Sequence, residues 1–196
     1  TLLTAVVNAT NAPLGELARA EFYLGDVAAE QTARTPTNLV EAINHYERVA
    51  LEMTNSPLNA AAWGRLGDCR LQLGEYAQAT AAYQTVTELP VADVTTRSQA
   101  KLGLADALYG LRYYGNAAVR YHELLTAGPD SDVFIPAFRG LRNCARRIAY
   151  NAVTLEALTQ YYVGNAPQAF QDSYNYFLGK FFFDYNRYDE ARQYLG

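Results

Sequence analysis

Residue types that build catalytic and redox centres are scarce in this chain: its 196 residues include two cysteines, two histidines and one methionine. Nowhere do a nucleophile, a base and an orienting group occur together, and no Gly-rich loop follows a strand to cradle a phosphate. Acidic residues that pair in sequence, such as Asp189 and Glu190, fall at an expected helix start, where they favour the helix dipole. Neither catalysis nor a cofactor is therefore expected. His45 and His122 have no cysteine or second histidine at ligand spacing, which argues against a bound metal. Long apolar runs are also missing. Although 50% of the residues are hydrophobic, no run reaches the roughly 18 residues of a membrane span. Excess positive charge is absent too, and a formal net charge of −4 disfavours a nucleic-acid surface.

What the sequence does contain is a period. A small residue recurs at Ala42, Ala79, Ala117, Thr154 and Ala191, at intervals of 37 or 38 residues. Four positions later comes a larger residue, in the series Tyr46, Tyr83, Tyr121, Leu158, Leu195, and upstream runs a leucine series, Leu24, Leu66, Leu104, Leu141, Leu178. The first leucine interval is 42 residues. Its excess falls in Arg34-Thr35-Pro36-Thr37-Asn38, read as a longer loop in which Pro36 biases Thr35 out of the helical region and Asn38 caps a helix from Leu39. A unit of this length is two short helices that cannot bury their apolar faces alone, so neighbouring units must stack into a solenoid. Cys69 and Cys144 are then two units apart, beyond disulfide reach, and read as small buried packing residues.

The strongest unit runs Trp63-Gly64-Arg65-Leu66-Gly67, then Gly74-Glu75-Tyr76, Ala79, Tyr83 and Pro90. This block resembles the tetratricopeptide repeat family, whose pattern is a tryptophan, Leu-Gly, Gly-x-Tyr, alanine, an aromatic and proline. A second copy has Leu178-Gly179, Asn186-Arg187-Tyr188, Ala191 and Leu195, and a third has Leu104-Ala105, Tyr114, Ala117, Tyr121 and Pro129. The unit around Leu141 and Thr154 lacks the Gly-x-Tyr turn. The resemblance implies an all-α fold, a right-handed superhelix of antiparallel helix pairs in a single domain over 1–196. Its units are expected at 14–54, 58–89, 96–128, 132–165 and 168–196, the last truncated, with 1–10 as the tail of a preceding helix. First helices are expected at 14–33, 58–73, 96–111, 132–149 and 168–184, and second helices at 39–54, 76–88, 114–126, 152–163 and 188–195.

In this family the first helices line a concave groove, so the resemblance implies a ladder of groove-facing residues. Two positions after the first-helix leucine stand Asp26, Asp68, Asp106, Asn143 and Lys180, and three further on stand Tyr109 and Arg146 among others. Helix 132–149 adds Arg139, Arg142 and Arg147, most of them on one face with Arg146. With Tyr176 as an apolar anchor, the expected peptide-binding groove is Asp26, Asp68, Asp106, Tyr109, Arg139, Asn143, Arg146, Arg147, Tyr176 and Lys180. Arginine forks suit the carboxylates of an acidic peptide, while the acidic half suits a basic or mixed-charge one. The same aspartates can instead bridge to the next first helix, and the arginines can form an ordinary solvated face. Arg139 and Asn143 match only part of the family's carboxylate clamp, because Phe177 stands where a second asparagine belongs. Capture of chaperone C-terminal tails is therefore not expected.

The expected function is a non-catalytic interaction scaffold that binds an extended peptide or helix of another protein. Two other readings stand beside it: a self-assembling array of a bacterial envelope assembly protein, which long-period repeats of this type resemble, and a regulatory module of a larger multidomain enzyme. Tyr174, Tyr176, Phe177, Phe181, Phe182, Phe183, Tyr185 and Tyr188 crowd the C-terminal helix and its turn, a face for a further repeat or for self-association. Leu2, Leu3, Val6 and Val7 look like the end of a helix from an earlier repeat, so the chain reads as part of a longer array. Cytoplasm and periplasm fit such a soluble array equally.

Overall fold

Ten helices follow one another along the described residues, which in this computed structural model are 2–9, 11–30, 36–127, 131–148, 171–184 and 186–196. They are α1 (Leu2–Val7), α2 (Leu14–Ala29), α3 (Pro36–Glu47), α4 (Asn59–Gln72), α5 (Tyr76–Glu88), α6 (Val94–Gly110), α7 (Tyr114–Thr126), α8 (Ser131–Ile148), α9 (Gln171–Asp184) and α10 (Tyr188–Leu195). No strand occurs among the described residues. The second helices α5, α7 and α10 begin and end where the repeat register places them. The expected helix 152–163 and Tyr185 lie outside the described residues, as do 31–35 of the inserted loop.

Where boundaries move, local chemistry explains the shift. Helix α3 starts at Pro36 rather than Leu39, because proline at a first helical position gives up only an N–H that has no intrahelical partner. Asn38 therefore lies inside the first turn and does not cap it. Helix α6 starts at Val94 rather than 96, since Asp93 serves as its cap. The Asp93 carboxylate accepts from the Thr96 N–H at 2.7 Å and from the Thr96 hydroxyl at 3.1 Å.

Three described turns, ahead of α5, α7 and α10, share a left-handed residue. Gly74, at φ 77°, closes α4 with two bonds: its N–H donates to the Leu71 carbonyl (3.1 Å) and the Glu75 N–H donates to that of Arg70 (2.9 Å). Asn186, at φ 60°, closes α9 with the same pair of bonds, to Phe183 and Phe182. Arg112 takes the same left-handed conformation after α6, at φ 65°, where a Cβ is disfavoured. Arg112→Gly is expected to raise stability by about 1 kcal/mol, read as a higher urea midpoint at unchanged slope. A lower midpoint would show that the Arg112 side chain contributes more than its backbone costs.

The helices divide into two compact units, Thr1–Leu111 and Arg112–Gly196. In the first, α2 packs on α3, α3 on α4, α4 on α5 and α5 on α6, so the pairs follow one another serially, and the first helices α4 and α6 also touch. In the second, α7 packs on α8 and α9 on α10, and α8 touches α9. Each second helix drives a large side chain into a seat made by glycine. A Cβ on Gly25 or on Gly67 would lie 2.6 Å from the ring of Tyr46 or Tyr83 respectively. Tyr83 also meets Gly103 of the next first helix, and Tyr121 meets Gly140, where a Cβ would again come under 3.0 Å from the ring. These contacts leave Tyr46, Tyr83 and Tyr121 almost wholly buried. In the second unit α8 buries Val133, Phe134, Ala137, Phe138, Leu141 and Cys144 along one face. Neither cysteine forms a disulfide and both are buried.

Helix α3 runs on into a π-helical turn, Arg48–Glu52. Such a turn displaces carbonyl groups from the regular ladder, and here a buried side chain collects them. Asn59, at the start of α4, donates its amide to the Val49 carbonyl (3.2 Å) and the Ala50 carbonyl (2.9 Å). Asn59→Ala strands both acceptors in the interior. A loss of about 2 kcal/mol in urea unfolding is expected, and a loss too small to resolve would show that water reaches these carbonyls.

Candidate interaction site

Spacing alone brings the site residues of α4 together: Arg65, Asp68 and Gln72 fall at i, i+3 and i+7, one stripe of a helix. On α2, Asp26 and Glu30 fall at i and i+4 and face the same way. Between these stripes lies an open concavity of about 300 Å³ in the first unit, with Tyr46 and Cys69 also in its walls. It occurs at a junction with an unusual residue. The position ahead of the first-helix leucine is Tyr23 in α2, Arg65 in α4, Gly103 in α6, Gly140 in α8 and Phe177 in α9, and Arg65 is its one charged member.

The two aspartates are held from behind by the second helices. Tyr46 donates its hydroxyl to Asp26 Oδ1 at 2.7 Å, and Tyr83 donates to Asp68 Oδ1 at 2.7 Å. Asp26 also pairs with Arg65 of the next first helix, Nε to Oδ1 3.6 Å. Asp26 thus faces the next first helix at ion-pair distance, without a hydrogen bond across it, and is hydrogen-bonded within its own pair. Burial pushes both tyrosine hydroxyls far above their usual range, and the facing aspartates add to the shift, so each stays a donor. Burial, followed by the charge of Asp68, also pushes the Cys69 thiol up to about 11, which keeps it uncharged at neutral pH and a poor nucleophile.

Asp68 combines two opposing environments. Its outer edge reaches solvent, but the walls of the concavity crowd the carboxyl group with protein. That desolvation raises its pKa, outweighing the lowering by the Tyr83 hydroxyl and by Arg65. A carboxyl whose folded pKa lies above its unfolded value binds more protons folded than unfolded. Stability is therefore greatest below the unfolded value and falls as pH rises through the folded one. Asp68→Asn is accordingly expected to unfold at a higher temperature than the parent at pH 7, with the gap closing as pH drops through the carboxylate range. A lower melting temperature at pH 7 would show that the hydrogen bond outweighs the desolvation.

The remaining residues of the expected groove are distributed over both units. Asp106 and Tyr109 are half-buried on α6 in the first. In the second, Arg139, Arg146 and Arg147 are exposed on α8, with Asn143 half-buried among them, and α9 carries exposed Tyr176 and half-buried Lys180. Arg146 and Lys180 both approach Asp184, at 3.8 and 3.7 Å, so that part of this cationic face is neutralised within the unit. Two features escaped sequence reasoning. Arg65 was detectable as the one charged residue in the series Tyr23, Arg65, Gly103, Gly140, Phe177. Glu21, only 2% exposed, accepts from His45 (2.6 Å) and Arg48 (2.7 Å) of the partner helix and its π turn, which periodicity does not announce.

Among the described residues no group of three or more His, Cys, Asp or Glu is placed to hold a metal ion, and no helix is long and apolar enough to cross a membrane. No curated protein matches the chain. Residues 36–93, from the first turn of α3 to the cap of α6, match the family model described as tetratricopeptide repeat.

Proposed function

We propose that this chain, which belongs over residues 36–93 to the tetratricopeptide repeat family, is a protein–protein interaction module that takes an extended peptide across the first-helix face of its first unit. The repeat itself supports the interaction role. The concavity between α2 and α4 carries the finer reading, because its acceptors are fixed before any partner arrives. Asp26 and Asp68 are each tied to a buried tyrosine, so little side-chain freedom is lost when a ligand's N–H groups or basic side chains meet them. Asp106 and Tyr109 extend the same register along α6.

The test is selection of short random peptides displayed on phage by the parent and by a double reversal, Asp26→Lys with Asp68→Lys. Peptides enriched by the parent are expected to be retained several-fold less by the reversal, with helical content by circular dichroism unchanged. Equal retention would remove this face from the binding site. A second surface favours an acidic segment: Arg139 and Arg147 are exposed on α8 of the other unit, beside Asn143. Arg139→Glu with Arg146→Glu applies the same selection there, and loss of acidic peptides alone is the expected result.

A further inference from the structure

We propose that the concavity between α2 and α4 accepts the guanidinium or ammonium group of a basic side chain, and that Arg65 is the resident cation it displaces. The inference rests on the peptide-binding reading of this face and adds the chemistry of its anchor. Charge balance comes first: Asp26, Glu30 and Asp68 line the concavity against the single cation Arg65. An entering carboxylate would gain Arg65 and oppose three like charges, whereas an entering cation gains two fixed acceptors.

The two inner carboxylates are also unequally served. Asp26 has a hydroxyl donor and Arg65, while Asp68 has the Tyr83 hydroxyl and no cationic group within 4.0 Å among the described residues. A partly desolvated carboxylate whose nearest countercharge, here Arg65, stands beyond ion-pair distance is stabilised by an incoming cation more than one in open water. Burial already raises the Asp68 pKa, which shows that its charged form is short of such compensation.

Arg65 is placed to yield. Its side chain is 55% exposed and its Nε stands 3.6 Å from Asp26, beyond hydrogen-bond distance. In the corresponding register stand Tyr23, Gly103, Gly140 and Phe177, so no other first helix of the series places a cation there. Arg65 thus moderates the repulsion between Asp26 and Asp68 in the unliganded protein and can swing outward when a stronger or better-placed cation arrives.

The experiment titrates the full ¹⁵N-labelled chain with capped alanine peptides carrying one central arginine, citrulline or glutamate, followed by amide chemical shifts. Citrulline keeps the shape of arginine and removes its charge. With the arginine peptide, saturable shifts are expected at Asp26, Arg65, Asp68 and Gln72. Affinity should fall about tenfold or more with citrulline, or with Asp68→Asn, which keeps an acceptor for Tyr83 and whose folding is checked by its melting curve. Arg65→Ala should tighten binding about threefold. Weaker binding by Arg65→Ala, or a glutamate peptide binding as well as arginine, overturns the proposal. Equal shifts from arginine and citrulline at these amides would overturn the cation pocket and leave the peptide-binding face standing. Absence of shifts from all three would overturn both.

Discussion

Tyr83→Ala is expected to destabilise the protein by about 4 kcal/mol, the range for removing a fully buried aromatic side chain. The ring is 2% exposed and packs with Ala79, Val86, Ala100 and Leu104 while filling the seat between Gly67 and Gly103. Its removal opens a cavity that touches three helices, α4, α5 and α6, none of which can collapse inward without disturbing the others. Tyr83→Phe keeps the ring and deletes only the hydroxyl. Because Asp68 retains access to water, that change should cost about 1 kcal/mol. Equilibrium urea unfolding of the two variants separates ring packing from hydrogen bonding. Should alanine cost no more than phenylalanine, the ring would not be the element that joins the helices.

The second large effect is expected at Gly103→Ala, at about 3 kcal/mol. In most helices glycine to alanine is mildly favourable, since alanine has the better helix propensity. At Gly103 the new methyl group would come under 3.0 Å from the ring of Tyr83, a ring that is already packed as closely against Gly67 of α4. Gly64→Ala is the internal control on a neighbouring helix, since nothing lies within 4 Å of its added Cβ, and it should be neutral or slightly stabilising. Pairing Gly103→Ala with Tyr83→Leu should cost less than the sum of the two by at least about 1 kcal/mol, the signature of a shared steric contact. Strict additivity would place the cost of Gly103→Ala elsewhere.

The repeat was legible because it is written in the residues that make helix crossings possible. Ala79 and Ala117 mark close approach, Tyr83 and Tyr121 mark the wedge, and Gly74, Arg112 and Asn186 stand in the left-handed turns ahead of α5, α7 and α10, which could be bounded from register alone. Asp93 and Pro36 shifted two starts because caps and first-turn prolines act over single residues, below the resolution of a period. Asp26 and Asp68 were visible as a ladder, yet their hydroxyl partners were not. The reach of Tyr46 and Tyr83 across the pair depends on how closely the glycines let the helices approach. Arg65 stood inside the best-matching motif, one residue before Leu66, at a position the family pattern leaves unspecified.

The tyrosine seats carry a mechanical consequence. Sliding α6 by one helical turn relative to α5 is a displacement of about 5.4 Å. Such a slip would bring Gln99 or Ala107 against Tyr83 in place of Gly103, and neither leaves room for the ring. The hydroxyl tether to Asp68 resists the corresponding slip between α5 and α4. Tyr83 therefore acts as a keyed joint: it blocks shear between adjacent helices while leaving small rocking about the ring as the soft coordinate. Under tension this part of the array should bend elastically before any helix changes register.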